Sequence, residues 1–230
     1  MLPELNREWS DLSYQVDPSE VRRYLGFRPG QTQEQSQVES LLTEMMALGQ
    51  ELVEPIGIGA MFPVDLKPQG LQIGPDLLIA GPRTRKRLGK ITWAYLFAVT
   101  IGPKLEETAA SFFSQGEYTK GVILDSIGSS AVESLAKEVN RRVVEGAIQV
   151  GLTAQERISP GYSDWPLEDQ YQLCSLIGTT AIGLRLSAAA MLQPRKSITA
   201  LIGLSTEATG DYATVLGCSG CDSVECQFRS

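Results

Sequence analysis

Ten residues, Arg157-Ile-Ser-Pro-Gly-Tyr-Ser-Asp-Trp-Pro166, put a guanidinium, a turn and two aromatic rings into one short stretch. Arginine presents a rigid planar fork of N–H donors that matches a carboxylate at two points. Pro160-Gly161 is a turn signal, and glycine lets a ligand come close to the main chain. Asp164 is placed to cap a helix that Pro166 opens at its first position, which would deliver Tyr162 and Trp165 to a helix N-terminus. Such an end attracts anions. The stretch reads as an anion-binding loop, and the same residues also describe an ordinary loop feeding a capped helix.

A second group with chemical potential lies near the C-terminus. Cys218-Ser-Gly-Cys221 sets two thiols on one side of a turn, and Cys226 follows where a third can close around a soft metal or an iron–sulfur cluster. Four ligands are the usual set for zinc. Cys174, the remaining cysteine, falls in a helical pattern where a lone cysteine packs as a small apolar residue. Reduced structural or redox thiols, a metal or cluster, and a disulfide all stay open for this tail.

Histidine is absent from the chain, which rules out a Ser-His-Asp triad, a Cys-His pair and any His-based zinc site built from this chain alone. The formal charge of −7 argues against a nucleic-acid surface, since phosphate binding calls for a basic excess. The one basic run, Arg83-Thr-Arg-Lys-Arg87, reads as a solvated loop. No apolar run reaches the roughly 18 residues of a membrane span, and the N-terminus, with Glu4, Arg7 and Glu8, lacks a signal-peptide core, so no membrane and a cytoplasmic location are expected.

The elements that must position these groups follow from periodicity. With 43% apolar residues, the chain can bury a sizeable core as one domain or two joined lobes. Pro18 to Gly26 reads as a short capped helix and Thr32 to Leu52 as an amphipathic one with a stripe of Val38, Leu41, Leu42, Met45, Met46 and Leu48. Residues 53 to 82 have the Gly- and Pro-rich pattern of brief strands and turns linking a smaller N-terminal helical part, residues 1 to 82, to the main body, residues 83 to 230. Trp93 to Ile101 reads as a buried strand that turns at Gly102-Pro103 into a helix through Phe113. The longest helix is expected from Asp125 to about Gly146, with Val132, Leu135, Ala136, Val139 and Val143 on its apolar face and Glu133 at the edge of that stripe. Leu167 to Leu186 reads as helix broken around Gly178 and Gly183, and Ala188 to Leu192 as the start of a return to the sheet. Ser197 to Gly203 and Tyr212 to Leu216 read as the strands of a hairpin.

The pattern Arg157-x-x-Pro160-Gly161-Tyr162 with Pro166 resembles the S-adenosylmethionine loop in the activation domain of vitamin B12-dependent methionine synthase. Gly161-Tyr-Ser-Asp-Trp-Pro-Leu-Glu168 and the tail cysteines are similar to the short, free-standing members of that family. Ala98-Val-Thr-Ile-Gly102, Leu124-Asp-Ser-Ile-Gly128, Ala131-Val-Glu133, Ile182-Gly-Leu-Arg-Leu186 and Met191 to Ser197 resemble family segments in the family's order, so that roughly residues 90 to 226 are covered. The resemblance implies an α+β fold, an antiparallel sheet packed with long helices. It implies a methyltransferase-type activity, the reductive methylation of cob(II)alamin, with S-adenosylmethionine as methyl donor and cobalamin carried by a partner. Arg157, Pro160, Gly161, Tyr162, Glu133 and Tyr212 are the implied binding residues. Of these, Arg157 would clamp the ligand's carboxylate and Glu133 would face its cationic side. Cys218, Cys221 and Cys226 are the candidate metal ligands, for zinc or an iron–sulfur cluster. The partners implied are a corrinoid-carrying methionine synthase or methyltransferase protein and a reductant protein. Other members have aromatics where this chain has Leu201, Ile202 and Asp211. With no histidine to offer cobalt, the chain is expected to act on a corrinoid held elsewhere. A redox or electron-transfer protein built on the cysteine tail is the alternative expectation.

Overall fold

The structure, a computed structural model, describes residues 7–27 and 36–206. Its centre is β5, Trp93–Thr100, whose run of aromatic, aliphatic and β-branched residues suits a strand covered on both faces. Every residue from Ala94 to Thr100 is buried. Antiparallel neighbours flank it on both sides: β2, Ile56–Lys67, pairs along one edge and β9, Ser197–Ser205, along the other. β2 is long enough to hold two further partners, β1, Arg7–Trp9, on its first half and β3, Gly70–Ile73, on its second. β4, Leu77–Ile79, adds to β3, and β6, Thr153–Ala154, adds to β9, giving the order β4-β3-β2-β5-β9-β6.

Alternation along β5 builds two cores. Tyr95, Phe97 and Val99 point into a layer formed by α2, Ser36–Leu52, α4, Lys104–Ser114, and α5, Tyr118–Gln149. Trp9 joins this layer, its ring tilted against Tyr95 with centroids 6.2 Å apart. Ala94, Leu96 and Ala98 face the other layer, which holds Leu88 of α3, Pro82–Leu88, and Leu173, Cys174 and Ile177 of α6, Gln170–Ile177. The result is helix on sheet on helix, an α+β domain with an all-antiparallel main sheet.

Several expectations are met and several change. α1, Pro18–Tyr24, begins at Asp17, whose carboxylate accepts from the Ser19 N–H at 2.8 Å. α2 is described from Ser36, so Thr32 to Gln35 lie outside the described residues. The brief strands expected between 53 and 82 include the twelve-residue β2, an integral strand beside β5 rather than a linker. α5 starts at Tyr118, seven residues before the expected Asp125. Its first turns carry Gly121, Ser126, Gly128, Ser129 and Ser130, which are poor helix formers in isolation. At Gly128 the reason is packing: a Cβ there would sit 2.6 Å from Leu105 Cδ2 of α4. The segment after Pro166 is a 3₁₀ turn, Leu167–Asp169, then α6, then a second 3₁₀ turn, Thr179–Ile182, with the expected breaks at Gly178 and Gly183. Residues 188 to 191 belong to the turn of a small separate hairpin between β7, Arg185–Leu186, and β8, Leu192–Gln193. Residues 212 to 216 lie outside the described residues, and the described partners of β9 are β5 and β6.

Phe97 is fully buried at the middle of β5, and removing its ring leaves a cavity that rigid neighbours on three sides cannot fill. Phe97→Ala is expected to lower stability by about 3–5 kcal/mol, whereas Leu66→Ala, at an exposed position, changes it by less than about 0.5 kcal/mol. Urea unfolding followed by circular dichroism measures both.

Candidate functional site

The chain enters the loop along β9. Gln155 N–H donates to Gly203 O at 2.7 Å, and Ile158 and Leu201 exchange backbone hydrogen bonds of 2.9 and 2.8 Å. Between the pairs Ala154↔Leu204 and Ile158↔Leu201 the edge strand spends one more residue than β9 does, which is a bulge. Its consequence is directional. Ala154 packs with the α5 layer and Ile158 with the α6 layer, so Arg157, next to Ile158, turns back toward α5. There its Nη2 donates to Glu133 Oε2 at 2.7 Å.

The pair leaves two groups unused. Arg157 Nη1 is buried and has no hydrogen-bond partner among the described residues, a state that costs on the order of 1–3 kcal/mol for a polar donor. Glu133 engages Arg157 through Oε2, leaving Oε1 unpaired among the described residues. The N-terminal segment packs alongside: Gln15 N–H donates to Ser134 Oγ at 2.9 Å. Burial, and then the charge of Glu133, push the Tyr24 phenol above its ordinary pKa.

The loop itself is tightly tied. Gly161 has φ +88°, its N–H donates to Trp165 O at 2.9 Å, and Trp165 N–H donates to Tyr162 O at 3.0 Å. Pro160 is buried beneath the turn, while the Tyr162 side chain is 69% exposed. Trp165 is 2% exposed in the α6 layer, with its Nε1 donating to Asp169 Oδ2 at 2.9 Å, so it anchors the loop rather than facing a ligand.

Asp164 does not cap the helix after it. Its carboxylate reaches α3, 80 residues earlier, where Oδ2 accepts from Arg83 N–H at 2.7 Å and Oδ1 from Thr84 N–H at 2.8 Å and the Thr84 hydroxyl at 2.7 Å. Pro166 precedes the 3₁₀ turn instead of opening an α-helix. The reason is competition among donors: α3 begins at Gly81 with no side-chain cap of its own, so its free N–H groups take the nearest carboxylate. At the other end of α3, Arg87 Nε donates to Glu156 Oε2 at 2.9 Å. The basic run expected as a solvated loop is thus a short helix bracing the segment before and after Arg157.

The structure pairs Glu133 of α5 with Arg157 and places Pro160, Gly161 and Tyr162 in the turn that follows Arg157. Tyr212, Cys218, Cys221 and Cys226 lie outside the described residues. Cys174 is buried in α6, and burial pushes its thiol up to about 11, so it stays protonated near neutrality. Among the described residues no group of three Cys, Asp or Glu side chains is arranged to hold a metal ion, and no helix is long and apolar enough to cross a membrane. Sequence reasoning missed Tyr24 beside Glu133, the α3 brace and the bulge, since none leaves a local signature at the loop.

No protein-family model matches the chain, and no curated protein matches it. Among solved structures the chain is similar to the crystal structure of the MetH reactivation domain bound to AdoHcy, with a TM-score of 0.62 and 14% identity over 89% of this chain and 80% of that one. At that identity the likeness establishes the shared fold.

The Asp164 carboxyl is held down to about 2, first by the Thr84 hydroxyl and then, against burial, by the N–H groups of Arg83 and Thr84. Its folded value is below the ~3.9 of an unfolded aspartate, so the stabilisation is full above roughly pH 4 and is lost as pH falls through about 2. Asp164→Asn is expected to be less stable than wild type at pH 7, with the difference closing toward roughly pH 2. Unfolding curves of both proteins across that range test it, and a difference independent of pH would contradict the assignment.

Proposed function

We propose that the protein binds S-adenosylmethionine at the Arg157–Glu133 couple and supports reductive methylation of a cob(II)alamin cofactor held by a separate methionine synthase or other corrinoid protein. The observation that carries this reading is the buried Nη1 of Arg157, which has no partner among the described residues. A buried donor beside an ion pair is suited to an incoming anion, and Oε1 of Glu133, unpaired among the described residues, is suited to a cation. A zwitterionic amino-acid end supplies both, its carboxylate to Arg157 and its ammonium to Glu133. The similarity in fold to a reactivation domain bound to AdoHcy supports the same ligand class.

Gly161 admits the ligand close to the main chain and Tyr162 stands at the rim. Tyr212 and the three tail cysteines belong to the proposal only through the sequence. S-adenosylmethionine supplies a sulfonium methyl group, which a corrinoid can accept once a reductant protein has delivered an electron. The chain's own residues need not move a proton for this: they bind both charged ends, orient the sulfonium and exclude water.

Arg157→Ala is expected to weaken S-adenosylmethionine binding by roughly ten- to a hundredfold, the size of a charge-assisted contact, and Arg157→Lys to recover only part of the loss. Calorimetric titration with S-adenosylmethionine and S-adenosylhomocysteine measures this. In a mixture with a cob(II)alamin-loaded partner, a low-potential reductant and S-adenosylmethionine, the visible spectrum should convert to that of methylcobalamin faster with this chain than without it. Equal rates, or an Arg157→Ala variant that binds as tightly as wild type, would overturn the reading.

A further inference from the structure

Beside the loop lies a cleft of about 320 Å³ lined by Leu167, Gln170, Met191, Arg195, Lys196 and Ser197. Leu167 is also the residue packed against Gly161, so the cleft adjoins the loop without being lined by Arg157 or Glu133. Lys196 is only 9% exposed, rare for a lysine. Its stem passes over α5 where Gly128 has no side chain, since a Cβ there would lie 3.2 Å from Lys196 Cγ. Its ammonium meets Asp125 Oδ2 at 2.9 Å and donates to Ser129 Oγ at 2.8 Å. Those contacts occupy two of three N–H donors, leaving one.

The other polar side chains of the cleft are an amide, a hydroxyl and a guanidinium. Gln170, 5% exposed, donates from Nε2 to Ala190 O at 2.6 Å and accepts at Oε1 from Thr199 at 2.8 Å, which leaves it one N–H and one carbonyl lone pair. The Ser197 hydroxyl spends its hydrogen on Pro194 O or Thr100 Oγ1 and keeps its oxygen as an acceptor. Arg195 donates its backbone N–H to Glu106 Oε2 at 2.7 Å, and its guanidinium has no partner among the described residues. Both charged residues that line the cleft are cations, in a chain whose formal charge is −7. The nearby carboxylates, Asp125 and Glu106, each already hold a donor.

We propose that this cleft is a binding site for a small oxyanion, a carboxylate or phosphate group held by Lys196, Arg195 and Gln170 between the apolar walls of Leu167 and Met191. Two lining cations with no carboxylate in the lining favour an oxygen anion over a cation. The volume admits a ligand of a few heavy atoms or the charged end of a larger one. Asp125 sets the affinity: it competes with the ligand for the Lys196 ammonium. The site stands on groups separate from those of the proposed S-adenosylmethionine reading and does not depend on it.

The test is titration of the full chain with inorganic phosphate and, separately, with acetate at low ionic strength, following amide shifts of residues 167–170 and 191–197. Saturable shifts confined to these segments are expected, and the tighter of the two anions tells a phosphate ligand from a carboxylate one. Arg195→Gln should weaken binding about tenfold, Lys196→Met should abolish it and Lys196→Arg should keep part of it. Asp125→Asn should tighten binding severalfold by freeing the ammonium, which a purely structural lysine would not show. Arg157→Ala should leave this binding unchanged, so failure here is separable from failure of the loop assignment. No saturable shift with either anion would overturn the proposal. Unchanged affinity in Arg195→Gln, an exposed position whose replacement does not threaten folding, would also do so.

Discussion

β5 has no solvent-facing side, and that constraint organises the molecule. A strand buried on both faces and paired on both edges forces its neighbours to present one apolar surface each, so α5 and α6 occupy opposite sides of the sheet. The edge strand after β6 then has to choose a layer for every side chain. The bulge between Ala154 and Ile158 makes that choice for Arg157 and gives it to α5. Without the extra residue, Ile158 and Arg157 would exchange faces, placing an aliphatic chain against Glu133 and a guanidinium in the α6 core.

The loop that follows is defined less by its own turn than by what it grips. Gly161 and Pro160 set a local bend, but Trp165 in the core, Asp164 on the end of α3 and Glu156 on Arg87 fix where that bend sits. Binding residues on loops keep their geometry when rigid elements hold the loop at several points. Arg157 lies between two such tethers, which restricts how far its fork can swing to satisfy the vacant N–H by itself.

Much of this was legible in the sequence because strong periodicity survives tertiary context. The strand at Trp93, the capped helix at Pro18 and the helix ends at Gly178 and Gly183 follow from alternation, capping residues and glycine stereochemistry. The first turns of α5, before Asp125, were not legible, since Gly121 weakens the helical pattern there and the Phe113 ring packed against it belongs to α4. Of the site, the loop residues were visible as chemistry and Glu133 only through resemblance. Their direct pairing was not visible, because a bulge in an edge strand and a contact across 24 residues leave no local pattern. The destination of Asp164 was misread for a related reason: capping rules name the carboxylate but not which of two helices will compete for it.

That choice of helix also bears on how the protein moves. α3 is seven residues long, too short to hold its shape unaided, and its first turn is completed by a carboxylate from far along the chain. Helix and loop therefore order together, as one cooperative unit whose formation waits for the later segment to arrive. Any fluctuation that lifts the Arg157 loop from the sheet also frays α3 at its N-terminal end. Amide hydrogen exchange would register that opening at Arg83 and Thr84, a distance along the sequence from the residues that move.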